Sequence, residues 1–415
     1  MKSKGTLLAA LGPGILFAAA AVGVSHLVQA TRAGAMFGPG MISIIIIACL
    51  LKYPAIRFGS DYTAATGRSL IQSYRQSGLW ILVLYGIAQV FSMFFIVAAV
   101  SLVTASLLKA TLNIEINDLL LVAGLLFVVS LLLLSGRYHL LEKLSKIIVP
   151  LFTLLIVAAV MMVVRKIEWS LASLAWPEYS AGTMMFVVAL AGFMPAPLDA
   201  SIFQSLWTKA KAEDTGRLPT LSEARFDFNV GFITSLLLAL CFMLMGAGVM
   251  HNAGVPLAGS SGGFASQVIE LFTSTIGQWS YPIISAAAIT VMFSTQITLL
   301  DAYPRILDAL ANELIPAADG RIYGIKIYDL MLILACLGAL CVMGLFMRSF
   351  AAFIDLTSVI VFILGPFLAF MNHRAVFGGE IPVSEQPSSL MRVWSVIGIV
   401  AMALIGVFYL SQRLL

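Results

Sequence analysis

At 415 residues, 60% hydrophobic and only 11% charged, with a mean hydropathy of +1.01, the chain is too apolar for a soluble domain of its length. That composition specifies an all-α polytopic membrane protein whose solvent is the lipid bilayer. The net charge of +4 implies no nucleic-acid partner, and the four cysteines, all in apolar runs without CxxC spacing, exclude a disulfide scaffold.

Hydropathy predicts about eleven spans. They cover roughly 6–36 (interrupted), 39–58, 78–107, 117–134, 142–164, 183–207 (interrupted), 227–250, 278–301, 325–346, 350–371 and 391–412. The opening Met1-Lys2-Ser3-Lys4 imitates a signal peptide but lacks a small-residue cleavage pattern, so the first helix is expected to be retained. Links such as Ser135-Gly136-Arg137-Tyr138 are too short to hold a soluble domain.

Of the 24 Lys and Arg residues, seventeen fall on the side of the N-terminus and six on the other, with Lys52 inside span two. The positive-inside rule therefore predicts a cell-membrane protein with a cytoplasmic N-terminus and, for eleven spans, an outer C-terminus. Lys52 is expected to snorkel toward the cytoplasmic face.

Two spans are interrupted. Span one breaks near Val22-Gly23-Val24-Ser25, and span six at Met194-Pro195-Ala196-Pro197. The two prolines of span six remove backbone donors and obstruct a continuous helix. In a bilayer such backbone persists only where protein or a water-filled cavity satisfies it. The broken spans open two five-span halves, about 6–164 and 183–371, followed by an additional helix at about 391–412. Five is odd, so the halves must be inverted, which predicts a secondary transporter with its site at the midplane.

Gly12-Pro13-Gly14, followed by Arg32-Ala33-Gly34-Ala35, resembles the first helix of the NRAMP divalent-metal transporters. Ala191-Gly192-Phe193-Met194-Pro195 resembles that family's AxxMPHN in the sixth helix, with weaker echoes at Leu141-Glu142-Lys143-Leu144 and Ser294-Thr295. The resemblance implies a LeuT-like fold of two inverted five-helix repeats plus one C-terminal helix. It also implies a metal site built from a DPGN motif, the alanine carbonyl and the methionine sulfur. Here DPGN falls on Gly23-Val24-Ser25-His26, so the carboxylate is replaced by Gly23 and the asparagine by His26. The family's His-Asn becomes Ala196-Pro197. Span three has no acidic residue and span nine no arginine before Arg348, where the family keeps proton-pathway charges.

The candidate cargo-binding residues are thus Gly23, Ser25, His26, Ala191, Met194 and Asp199. Imidazole and thioether suit a soft or borderline cation, which makes His26, Met194 and the Ala191 carbonyl the candidate metal donors. Each has a structural alternative: His26 as a hydrogen-bonded packing residue, Met194 as core filler. Asp199, within span six, is costly unless solvated or paired. It is a candidate for cargo binding or coupling, with helix capping as its alternative. Asp355, beside Thr357 and Ser358, is a candidate gate residue, or else a solvated carboxylate at a helix start. Asp301 and Arg305 read as vestibule or interfacial charges, and Gln89, Ser92, Gln296 and Thr298 as cavity-lining or interhelical bonding groups.

The expected cargo is a metal cation. A small polar organic solute is the alternative, because Gly23 vacates side-chain space and Ser25, His26 and Asp199 offer hydrogen bonds; a membrane sensor is a third. No cofactor is expected, and the absence of Walker, GxSxG and HExxH motifs argues against an enzyme. The oligomeric state is not legible.

Overall fold

The structure is a computed structural model describing residues 11–414, apart from 252–253, 255–257, 259, 316–320, 323–324 and 347–348. The side chains at 136–142, 144–145, 148 and 413–414 also lie outside the description. The chain is helical because lipid offers no partner for peptide groups, and helices satisfy them within the segment.

The first span consists of α1 (Pro13–Ala21), a π-helical turn (Ser25–Ala30) and α2 (Thr31–Phe37). The next helices are α3 (Met41–Thr66), the short α4 (Leu70–Ser77), α5 (Leu79–Leu112) and α6 (Asp118–Val163). Span six divides into α7 (Ala181–Phe193) and α8 (Ala200–Thr215). There follow α9 (Leu221–Met245), α10 (Ser261–Ile276), α11 (Tyr281–Leu314), α12 (Ile327–Phe346), α13 (Phe350–Phe377) and α14 (Ser389–Leu414). A two-residue antiparallel ladder, β1 (Arg321–Ile322) on β2 (Ile325–Lys326), pairs Arg321 with Lys326 and Ile322 with Ile325 between α11 and α12.

Among the described residues, nine stretches are long and apolar enough to cross a membrane, one of them holding α2 and α3 together. With the shorter α7 they cover the eleven expected spans. Large apolar side chains such as Ile87, Phe127, Leu154 and Leu404 are at least 65% exposed, as a lipid-facing surface requires. One boundary differs from expectation. Helix α6 runs on through Ser135-Gly136-Arg137-Tyr138, a link without proline, so nothing in its backbone chemistry forbids helical hydrogen bonding.

The helix ends carry local signals. Helix α9 starts at a Thr220–Glu223 capping box, and α3 stops at Gly67 in the left-handed conformation. The Gly12-Pro13-Gly14 motif is a docking device. The Asp227 carboxylate of α9 accepts from the N–H groups of Gly12 (2.7 Å) and Gly14 (2.6 Å), satisfying the free donors at the start of α1. A side chain at Gly14 would collide with the Asp227 carbonyl, so only glycine permits this approach. The core then brings α1 against α9, α7 against α13, α3 against α8 and α5 against α11.

Candidate functional site

Span one is interrupted where its sequence suggests. Helix α1 ends at Ala21, and the π turn takes up the chain at Ser25. The carbonyls exposed by the break are satisfied from within the protein. The Thr295 hydroxyl of α11 donates to Ala19 O (2.7 Å) and Val22 O (3.1 Å), and the Ser25 hydroxyl donates to Ala21 O. The space vacated at Gly23 is not a cargo void. A Cβ built there would lie 2.6 Å from Thr295 Cγ2, so the threonine occupies it. Gly23→Ala should therefore destabilise the fold by about 1–3 kcal/mol through overpacking. Adding Thr295→Ser, which removes Cγ2 and keeps the hydroxyl, should recover most of that loss in detergent thermal unfolding. Equal destabilisation with and without the second change would show that the contact is not the cause.

His26 is fully buried and has partners at both ring nitrogens. Nδ1 lies 2.7 Å from the Ser25 hydroxyl and Nε2 lies 2.8 Å from the carbonyl oxygen of Ser235 in α9. In this geometry the ring joins the first span to α9, and one ring nitrogen would have to give up its partner to bind a metal.

Span six breaks between Phe193 and Ala200, across a cis Met194–Pro195 bond. Met194 is fully buried. The side chain of Ala191 lines an apolar crevice of about 430 Å³ between α3, α7, α13 and α14, whose wall also holds Lys52. Lys52 does not snorkel. It is 3% exposed, and its Nζ donates to Gly192 O (2.6 Å) and Ala196 O (3.1 Å) across the break. The carbonyls that gain a partner are therefore those of Gly192 and Ala196. Snorkelling assumes a helix end within reach; here the nearer acceptors are the broken backbone of α7, whose C-terminal dipole end favours a cation.

Asp199 holds the N-cap position of α8, yet its side chain makes no capping bond. It is 4% exposed and reaches to α5 and α11. Oδ2 accepts from Ser92 (3.1 Å), Gln89 (3.4 Å) and Tyr303 (3.5 Å). The capping alternative is thus not realised in its side chain.

Near one end of the bundle Asp355 is paired rather than simply solvated. Arg32 binds it in bidentate fashion, Nη1 to Oδ1 at 2.7 Å and Nη2 to Oδ2 at 3.1 Å. The Gln29 amide donates to Asp355 (3.0 Å) and Ser358 (3.2 Å), and the guanidinium lies 5.1 Å from the Phe186 ring centroid. This network ties α2, α7 and α13 together. Toward the other end Asp301, 1% exposed, accepts from Arg305, Tyr328 and the Trp207 indole, joining α8, α11 and α12. Gln296 donates to Ser101 at 3.2 Å, and Thr298 bonds back to its own helix.

The structure thus gathers Ala191, Met194, Lys52 and Asp199 around the break in span six, and places His26 on the α9 side of span one. Among the described residues no group of three or more His, Cys, Asp or Glu stands close enough to hold a metal ion. A cation here would depend on carbonyls, hydroxyls, the Met194 sulfur and the single carboxylate of Asp199. The sequence reading missed the placement of Lys52, the donors Tyr303 and Thr295, and the Gln29–Arg32 pair. A lysine midway along an apolar span was the available signal for the first. The Glu142 side chain of the span-five echo lies outside the described residues.

Three comparisons bear on this arrangement. A family model described as natural resistance-associated macrophage protein-like (Nramp) matches residues 14–412. A Pasteurella multocida (strain Pm70) protein described as uncharacterised is 32% identical over 420 residues, covering 97% of this chain and 90% of that one. Among solved structures, the manganese transporter of Eremococcus coleocola in complex with an aromatic bis-isothiourea substituted compound superposes with a TM-score of 0.74 at 14% identity, over 98% of this chain and 87% of that one. MhsT in complex with L-phenylalanine gives 0.65 at 14% identity, over 96% and 97% of the two chains. Mhp1, a nucleobase-cation-symport-1 family transporter, gives 0.61 at 14% identity, over 97% and 92%. At these identities the likeness shows the fold, and the fold is LeuT-like, as expected.

Proposed function

Because this chain belongs to the Nramp family, we propose that it is a secondary transporter moving a metal cation across the membrane by alternating access. The carrying observation is the buried carboxylate of Asp199 at the break in span six, held by Ser92, Gln89 and Tyr303 from α5 and α11, in a fold that places cargo between paired discontinuous helices. The repeats in this reading are residues 6–164 and 183–371, with 391–412 added. The N-terminus is cytoplasmic and the membrane is the cell membrane, from the Lys and Arg asymmetry. The manganese transporter of E. coleocola, which shares the fold, supports a divalent ion. Met194 would add a soft donor, so a soft or borderline ion suits the site better than Mg²⁺. His26 serves as a ligand only if the first span rearranges. In the proposed orientation the Arg32–Asp355 pair lies toward the outer face and acts as a gate.

A second reading, a small polar organic solute, draws support from Lys52, since a cationic side chain already holds the carbonyls a metal would seek. Competition separates the two. Uptake of Mn²⁺ into proteoliposomes should be blocked by Cd²⁺ and other soft divalents and left intact by amino acids. Solute uptake blocked by substrate analogues, with no response to divalents, would favour the organic cargo.

A further inference from the structure

A lysine enclosed in a membrane bundle is costly unless the structure supplies partners. Lys52 receives three kinds of compensation. Two carbonyl oxygens converge on its Nζ, Gly192 O from the last turn of α7 and Ala196 O from within the break, at 2.6 and 3.1 Å. The C-terminal end of α7 contributes a negative dipole end. Asp199, just past Ala196, puts a carboxylate on the same broken segment. Two freed carbonyls, a helix C-terminus and a carboxylate are also the groups with which a broken membrane helix coordinates a transported cation. The rest of the pocket does not explain a lysine. The neighbouring crevice presents Ala191 from α7, Phe362 from α13 and Met402 from α14, all apolar. At Gly192 the backbone of α7 comes so close to the Ser358 carbonyl of α13 that a side chain there would collide with it.

We infer that Lys52 is a specificity-determining residue: its Nζ is a tethered cation seated on the Gly192 and Ala196 carbonyls, and a cargo cation reaches that seat only when Lys52 leaves it. The inference rests on the cation-transport reading above. A seat filled by the protein's own charge lowers apparent affinity by the fraction of time it is free. The chain therefore selects cargo that can displace an ammonium group, and a mobile ammonium ion should bind the same seat once the side chain is gone.

The test is Cd²⁺ uptake into proteoliposomes by wild type, Lys52→Met and Lys52→Gln, each checked for folding by size-exclusion chromatography, with and without methylammonium. Removing the tethered charge should tighten the apparent affinity for Cd²⁺ by ~10-fold or more, as expected when a largely occupied seat is freed. Methylammonium should inhibit the variants and leave wild type unaffected. The glutamine variant, which keeps one neutral donor for the carbonyls, carries the test if the methionine variant fails to fold. Folded variants with wild-type affinity, or weakened variants indifferent to methylammonium, would make Lys52 a purely structural clamp and overturn the inference. Wild type carrying no metal ion at all would instead overturn the transport reading, and the inference with it.

Discussion

Asp199→Asn should weaken cation binding by ~100-fold or more while the protein stays folded, because removing one partner of a buried ionic contact costs about 3–5 kcal/mol. The substitution preserves volume and an acceptor oxygen, so the contacts from Ser92, Gln89 and Tyr303 have a replacement partner. What it removes is the charge. Among the described residues all three donors engage Oδ2, which leaves Oδ1 for a cargo ion. Equilibrium binding of Cd²⁺ to purified protein is the direct readout. Wild-type affinity in a folded Asp199→Asn protein would remove this carboxylate from the site.

The second large effect concerns access. Arg32→Ala and Asp355→Ala should each open the outer pathway, because the bidentate pair and its Gln29 support are the described ionic link between α2 and α13. The Asp355 side chain is 29% exposed and that of Arg32 8%, so the pair is partly screened and is worth about 1–2 kcal/mol rather than a fully buried value. A cysteine at Val24, a position only 3% exposed, in a background without native cysteines, should be labelled from the outside ~10-fold faster in either variant, the ratio that about 1.4 kcal/mol produces. The double variant should label no faster than the singles, since each already breaks the same contact. Unchanged labelling in both singles would show that another contact closes this end.

Both helix breaks were legible in the sequence, because proline and glycine state backbone constraints locally. Pro195 and Pro197 remove donors wherever they stand. Partners distant in the chain were not legible. Asp355 could be placed near a helix start, but its guanidinium partner lies 323 residues away, near the end of span one. Lys52 was misjudged for the same reason: its acceptors are carbonyls 140 and 144 residues further along, exposed only because a different helix is broken. His26 shows the converse. Its place beside the first break was evident, but the Ser235 carbonyl that holds its ring is invisible to any pattern in side chains. Gly23 left an apparent vacancy, and only the packing of α11 shows that Thr295 fills it.

The central claim, cation transport by this fold, is tested most directly by Mn²⁺ and Cd²⁺ flux into proteoliposomes with and without an inward proton gradient. Wild type, Met194→Ala and His26→Ala would be compared. The account predicts protein-dependent uptake of Cd²⁺ that falls in Met194→Ala, and a rate indifferent to the gradient, because spans three and nine lack the family's proton-pathway charges. No flux of either ion in protein shown to be folded would contradict it.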